Sequence, residues 1–291
     1  MFLALLEDIN LKVQLIITEE KGGPSSGHWG HAGRPGKVGG SLPGKGAGAA
    51  MSIRTGKDAK FRQAIARKKI TPLDDYHASG VSESYPADLE GFGKVLVKGR
   101  DPYISDDNDD GFFAEVDAYK ISEELGWNIV PPTELISDYD NMGFQSVQGW
   151  VPDVADNIAC IDVHDITVDT RSYSRIVLLD MLTGNSDRHS RNIVIDTNGK
   201  CWAIDNNRAF YYSPADAATV VRRQMSWGIA SIANGDFTDD TIKFHPDDVS
   251  DILEFAQSSK FNSMLHKYDY LDQYVYDLDD RIHAFEDILE K

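Results

Sequence analysis

Cysteine is scarce in this chain: Cys160 and Cys201 are the only two in 291 residues. Neither lies in a C-x-x-C or other metal-ligand spacing. That removes a disulfide framework and a structural zinc site and makes a reducing compartment, the cytoplasm, the expected location. Long apolar runs are missing as well. No stretch approaches the roughly 20 residues that a membrane span requires. The opening MFLALLEDINLKVQLIITEE is interrupted by Glu7 and Asp8 and lacks a basic n-region, so no signal peptide is expected. Basic charge is in short supply after the first 70 residues. Formal net charge is -18, and residues 1–70 carry 12 Lys and Arg against 5 Asp and Glu, whereas the remainder carries 17 against 42. Such a body offers no basic face for nucleic acid and no basic or apolar strip for a membrane surface.

What remains is the composition of a globular enzyme, 41% hydrophobic and 10% aromatic. Three segments are expected. Residues 1–70 hold an N-terminal piece, a flexible basic linker and a short basic helix over 51–70. The linker, KGGPSSGHWGHAGRPGKVGGSLPGKGAGAA at 21–50, is too rich in Gly, Pro and Ser to offset the entropy of ordering it. Its Gly40–Gly46 run lacks the full phosphate-cradling pattern G-x-x-x-x-G-K-[ST]. Residues 71–151 read as a small β-rich lobe with one helix, and 152–291 as a mostly helical lobe. The fold class is therefore α+β.

The most informative stretch is DMLTGNSDRHSRNIVIDTNGKCWAIDNNRAF, 180–210. Ile193–Ile195 and Cys201–Ile204 are apolar runs flanking Asn198-Gly199, a strong hairpin signal. The hairpin returns the chain, so Asp205 is expected beside Asn192, with Asp187 close by. Two carboxylates and an amide converging at one mouth suit phosphoryl transfer from a metal-bound nucleotide. One carboxylate orients the attacking group; the other acid and the amide hold Mg2+ on the phosphates.

Around these residues the chain resembles the atypical kinases: the phosphoinositide 3-/4-kinase-like, HipA-type and Fam20-type families. It shares the loop N-x-D-R-H-x-x-N (Asn185–Asn192) and the later Ile204-Asp205-Asn206. The order is Asp-Arg-His where protein kinases carry His-Arg-Asp, and Asn206-Asn207 stand where they carry Phe-Gly. The run E-x-x-A-Y-x-x-x-x-x-L-G-x-x-x-V-P-P-T, Glu115 to Thr133, is similar to those families' N-lobe helix and its exit. The resemblance implies a two-lobed protein-kinase-like fold with ATP and Mg2+ between the lobes. Lys98, ending the apolar strand Lys94–Lys98, would pair the α- and β-phosphates, with Glu115 holding it. The turn Gly80–Ser84 would cover the phosphates with backbone N–H groups and the hydroxyls of Ser82 and Ser84. Gln148 and Trp150 would border the adenine. Asp187 would orient or deprotonate the acceptor hydroxyl, and Asn192 and Asp205 would bind the metal. His189 is read as an anchor of its loop, and Arg188 as a structural partner for a carboxylate.

The acceptor is expected to be a protein or a small-molecule hydroxyl. No Ala-Pro-Glu segment ends an activation loop, which removes the usual peptide platform. Alternatives on the same fold are a nucleotidyltransferase and an inactive nucleotide binder. The stretch GHWGHAGRPGKVGGS also resembles a linker of phage head-morphogenesis proteins. That implies a phage-encoded protein associated with heads or host proteins, and a structural head protein as a further alternative.

Overall fold

A computed structural model describes residues 57–67, 69–73, 84–99, 111–137, 144–151, 153–157, 168–185, 187–210, 244–265, 278 and 280. The expected linker at 21–50 lies outside them.

The first body is an antiparallel sheet of β1 (Ile70–Pro72), β2 (Ser84–Leu89), β3 (Gly93–Lys98), β4 (Thr133–Ser137) and β5 (Phe144–Gly149), in the order β1-β2-β3-β5-β4. Side chains alternate across it. Ala87, Leu89, Val95, Val97, Ile136 and Val147 face one way and pack with Phe61 and Ala64 of helix α1 (Lys57–Ala66). Phe61 meets Phe92 edge to face at 4.8 Å. Lys98 falls on the opposite face, beside Ser84 and Ser146 in register. β2 is a full partner of β3, and the turn between them is confined to Glu90–Phe92, with Gly91 at φ +87°.

Helix α2 (Gly111–Glu124) covers the Lys98 face. Its apolar residues belong to a second, larger core. Ala114, Tyr119 and Ile121, with Trp127, Ile129 and Val130 of its exit, cluster with residues of the helical body. The exit is fixed locally: Gly126 takes φ +68°, and Ser122 Oγ accepts from the Ile129 and Val130 amides at 2.9 and 3.2 Å. Pro131-Pro132 then prevents helix and begins the approach to β4.

The second body is built on α3 (Thr170–Thr183), buried along Ile176–Thr183 and capped at both ends. The Asp169 carboxylate accepts from the Arg171 amide, and Gly184, at φ +63°, closes the C-terminus through the Asp180 carbonyl. A small sheet β6-β7-β8 (Val154–Asn157, Ile193–Asp196, Cys201–Ala203) lies against α3, with the Asn198-Gly199 turn where the sequence predicts it. Helices α4 (Pro246–Ala256) and α5 (Ser259–Leu265) complete the core. Asp248, buried, joins α4 to α3 by accepting from Arg171 Nε at 2.8 Å and Arg175 Nη2 at 2.9 Å. The two bodies meet where Ile129 O accepts from Ala203 N at 2.7 Å and Asn128 O from Lys200 Nζ at 2.6 Å.

Candidate active site

Lys98 ends β3 with only 7% of its surface exposed. A buried ammonium needs anionic partners. It has two: Glu115 of α2, with which it forms a close ion pair, and Asp205 Oδ1 at 2.9 Å. Burial acts against the charge, but Glu115 and then Asp205 outweigh it and hold the ammonium above the ordinary lysine range. Burial likewise pushes the Asp205 carboxyl up, yet Lys98, with Arg188 and His189 behind it, brings it below the usual carboxylate range. Three residues far apart in sequence thus meet across the junction of the bodies. Glu115, 1% exposed, is also approached by Gln148 Nε2 at 3.5 Å.

Asp187 lies on the loop after α3. Gly184 ends the helix, and Asn185 Oδ1 accepts from the Asp187 amide at 3.1 Å. Asp187 itself stays exposed. The loop closes through Asn192, whose Nδ2 donates to the Asp187 carbonyl at 3.2 Å and whose carbonyl accepts from Ile204 N at 3.0 Å. That second bond sets the loop beside the residue preceding Asp205. His189 precedes a 3-10 turn at Ser190–Asn192, where its Nδ1 accepts from the Arg191 amide at 3.2 Å.

Arg188 is the hub beneath the mouth. Its guanidinium donates to both oxygens of Asp180 (2.8 and 3.1 Å), to the carbonyls of Asn192 (2.9 Å) and Ile204 (2.5 Å), and to Asn206 Oδ1. A planar fork with five N–H groups is suited to such a junction. Asp180 was not recognised in the sequence as its partner. The signal was there: a carboxylate inside the apolar run IVLLDML needs a cation.

Asp205 holds a left-handed conformation at φ +57°, uncommon outside glycine. It follows the hairpin directly, and its side chain turns toward Lys98 instead of continuing a strand. The residues fit a magnesium ion: Asp205 would supply a carboxylate, and Asn192, whose Nδ2 is committed to Asp187, would supply a carbonyl oxygen. Hard oxygen ligands in this number, completed by water and phosphate, are what Mg2+ takes. Among the described residues no cluster of three or more His, Cys, Asp or Glu forms a metal cage.

The remaining expected residues divide. Ser82 lies outside the described residues. Ser84 begins β2 in register with Lys98. Gln148 turns its side chain inward, to Glu115 and to Thr133 Oγ1 at 3.2 Å, while its backbone lies inside the sheet between β3 and β4. Trp150 donates its backbone N–H to the Lys94 carbonyl at 3.1 Å, and its ring lies under Lys94 Nζ at 3.5 Å. Between Gln148 and Trp150, buried Gly149 ends β5. Gly149 N donates to Pro132 O at 2.7 Å, and a regular antiparallel pair would return an N–H to the Gly149 carbonyl. Pro132 has none to give.

Lys98 on the third strand is thus paired with Glu115 of the following helix and with Asp205 after the hairpin. The fold class is α+β, a five-stranded antiparallel sheet joined to a mostly helical body. The family model for phosphatidylinositol 3- and 4-kinases matches residues 165–221, a stretch that includes the Asp187–Asn192 loop and the β7–β8 hairpin. No curated protein matches the chain. Among solved structures it is similar to the Rio2 kinase of Chaetomium thermophilum, at 14% identity with a TM-score of 0.46, covering 83% of this chain and 79% of that one. The ADP/Mg2+-phosphoaspartate complex of that kinase is similar at 14% identity and a TM-score of 0.45, covering 79% and 75%. An apo pseudokinase is similar at 10% identity and a TM-score of 0.36, covering 72% and 93%.

Proposed function

We propose that the chain is an ATP- and Mg2+-dependent phosphotransferase that moves the γ-phosphoryl group to a hydroxyl on a protein. The observation that carries this reading is Lys98, held between Glu115 and Asp205 at the junction of the two bodies, with Asp187 exposed on the loop after α3. In the reaction the acceptor oxygen forms a bond to γ-phosphorus, the bond to the β–γ bridging oxygen breaks, and ADP departs. Lys98 steadies the α- and β-phosphates as a point charge. Asp187 orients the acceptor hydroxyl and takes its proton. Asn192 and Asp205 would hold Mg2+, which neutralises charge on the phosphates when bound. The Gly149 carbonyl suits the exocyclic amine of adenine. Arg188 stays out of the chemistry and fixes the loop on which Asp187 and Asn192 sit.

A protein acceptor fits the acidic body, which attracts basic substrates. A phage setting rests on residues 27–41, outside the described residues. The deciding experiment supplies Mg2+ and ATP labelled separately at the γ- and α-phosphates to wild type and Asp187→Asn, with protein or host lysate as acceptor. Transfer of γ label by wild type alone is expected. Transfer of α label would change the reaction to nucleotidyl transfer. Absence of any transfer or nucleotide-induced thermal shift would refute the proposal.

A further inference from the structure

The Gln148 amide has a position that adenine recognition does not require. Gln148 is 3% exposed, on the interior strand β5, opposite Leu96 of β3 and Thr133 of β4. A buried primary amide has two N–H groups to satisfy. Both point along the inner wall: Nε2 lies 3.5 Å from Glu115 Oε2 and 3.2 Å from Thr133 Oγ1. Thr133 passes its own hydroxyl proton to the Pro131 carbonyl at 2.8 Å, so its oxygen is free to accept from the amide. The Glu115 carboxylate is thereby held at both oxygens, with Lys98 on Oε1 and Gln148 on Oε2.

We infer that Gln148 is a positioning residue: it fixes the rotation of the buried Glu115 carboxylate so that Oε1 meets Lys98, and so places Lys98 for the phosphates. The inference rests on the proposed function for its kinetic consequence, but the Gln148–Glu115 coupling itself does not. A carboxylate held by one partner can turn about its terminal bond, a soft torsion. The second partner removes that freedom. The chain of bonds runs from Pro131 through Thr133, Gln148, Glu115 and Lys98 to Asp205, joining the outer strand β4 to the far body.

Two substitutions separate positioning from bulk. Gln148→Leu keeps volume and removes both donors. Gln148→Glu keeps shape and sets a second carboxylate beside Glu115, and two such groups cannot both ionise cheaply. Binding of a fluorescent ATP analogue with Mg2+ would be titrated from pH 8 to pH 5.5. Both variants should bind about tenfold more weakly than wild type at pH 8. Gln148→Glu alone should recover to within about threefold of wild type at pH 5.5, as one carboxyl takes a proton and becomes a donor. Wild-type affinity in both variants, or equal loss without recovery, overturns the inference. A thermal double-mutant cycle with Glu115→Gln needs no nucleotide: the pair should depart from additivity by at least about 3 °C. Additivity would sink the inference even if nucleotide binds; non-additivity without nucleotide binding would sink the proposed function and spare this one.

Discussion

Two buried cations lie near the mouth, and they are used differently. Arg188 has a guanidinium satisfied on every side, by Asp180, Asn206 and two carbonyls. Lys98 is a single ammonium between two carboxylates from different bodies, one of which, Asp205, is partly open to water. The first arrangement has no capacity left for a ligand. The second can exchange a partner: on the proposed function, the lysine would keep Glu115 and turn its remaining donors to the phosphates. Arg188 therefore makes the loop, and Lys98 makes the site.

Breaking the Arg188 hub gives the largest expected effect. Arg188→Met strands the buried Asp180 carboxylate and removes support from Asn206 and two carbonyls. Loss of one partner of a buried pair costs about 3–5 kcal/mol. Chemical denaturation should show a loss of that size; a loss below about 1 kcal/mol would mean that water replaces the guanidinium. Lys98→Met should cost less, roughly 1–3 kcal/mol, since Glu115 retains the Gln148 amide and Asp205 reaches solvent. Its effect on Mg2+-ATP binding should be near complete, and Arg188→Lys should not imitate it by binding assay in any variant that remains folded. Reversed magnitudes would overturn the division of labour.

Asp205→Asn is expected to change function with the least change in fold. An amide tolerates the left-handed backbone at this position nearly as well as a carboxylate does. The melting temperature should move by no more than about 3 °C, whereas Mg2+-dependent nucleotide affinity should drop at least about tenfold, or about 1.4 kcal/mol. Calorimetric titration with and without Mg2+ checks this, and unchanged affinity would remove Asp205 from the metal site.

The contrast between the two cations also explains what could be read from the sequence. Local signals located the hairpin, because Asn198-Gly199 has one favoured turn. Spacing set Asn192 beside the residue before Asp205 for the same reason, as the bond from Ile204 N to the Asn192 carbonyl shows. Long-range pairing was legible only where a resemblance supplied it, as for Lys98 and Glu115. It was missed for Asp180 and Arg188, and for the Gln148 side chain, whose inward turn depends on strand register set by β3 and β4. Helix α2 shows the limit most clearly. Chain order places it in the small lobe, but its apolar residues complete the core of the larger one, so Glu115 is anchored to the helical body.

That anchoring makes the Lys98 contacts a closure between bodies, and its pH range is the smallest effect expected. Burial raises the Asp205 carboxyl, but Lys98 outweighs it and the folded value lies below the ordinary one. The stabilisation is therefore present above the unfolded value of about 3.9 and disappears as pH falls through the lower folded value. For Lys98 the net direction is upward, so its share is fully present below about 10.4 and disappears only as pH rises through a still higher folded value. Between those limits the closure should contribute a constant amount. Denaturation midpoints of wild type and Lys98→Met should differ by a fixed interval from about pH 5 to pH 9, and the interval should narrow at both extremes. A difference that varies through neutral pH would show that another titrating group shares the closure.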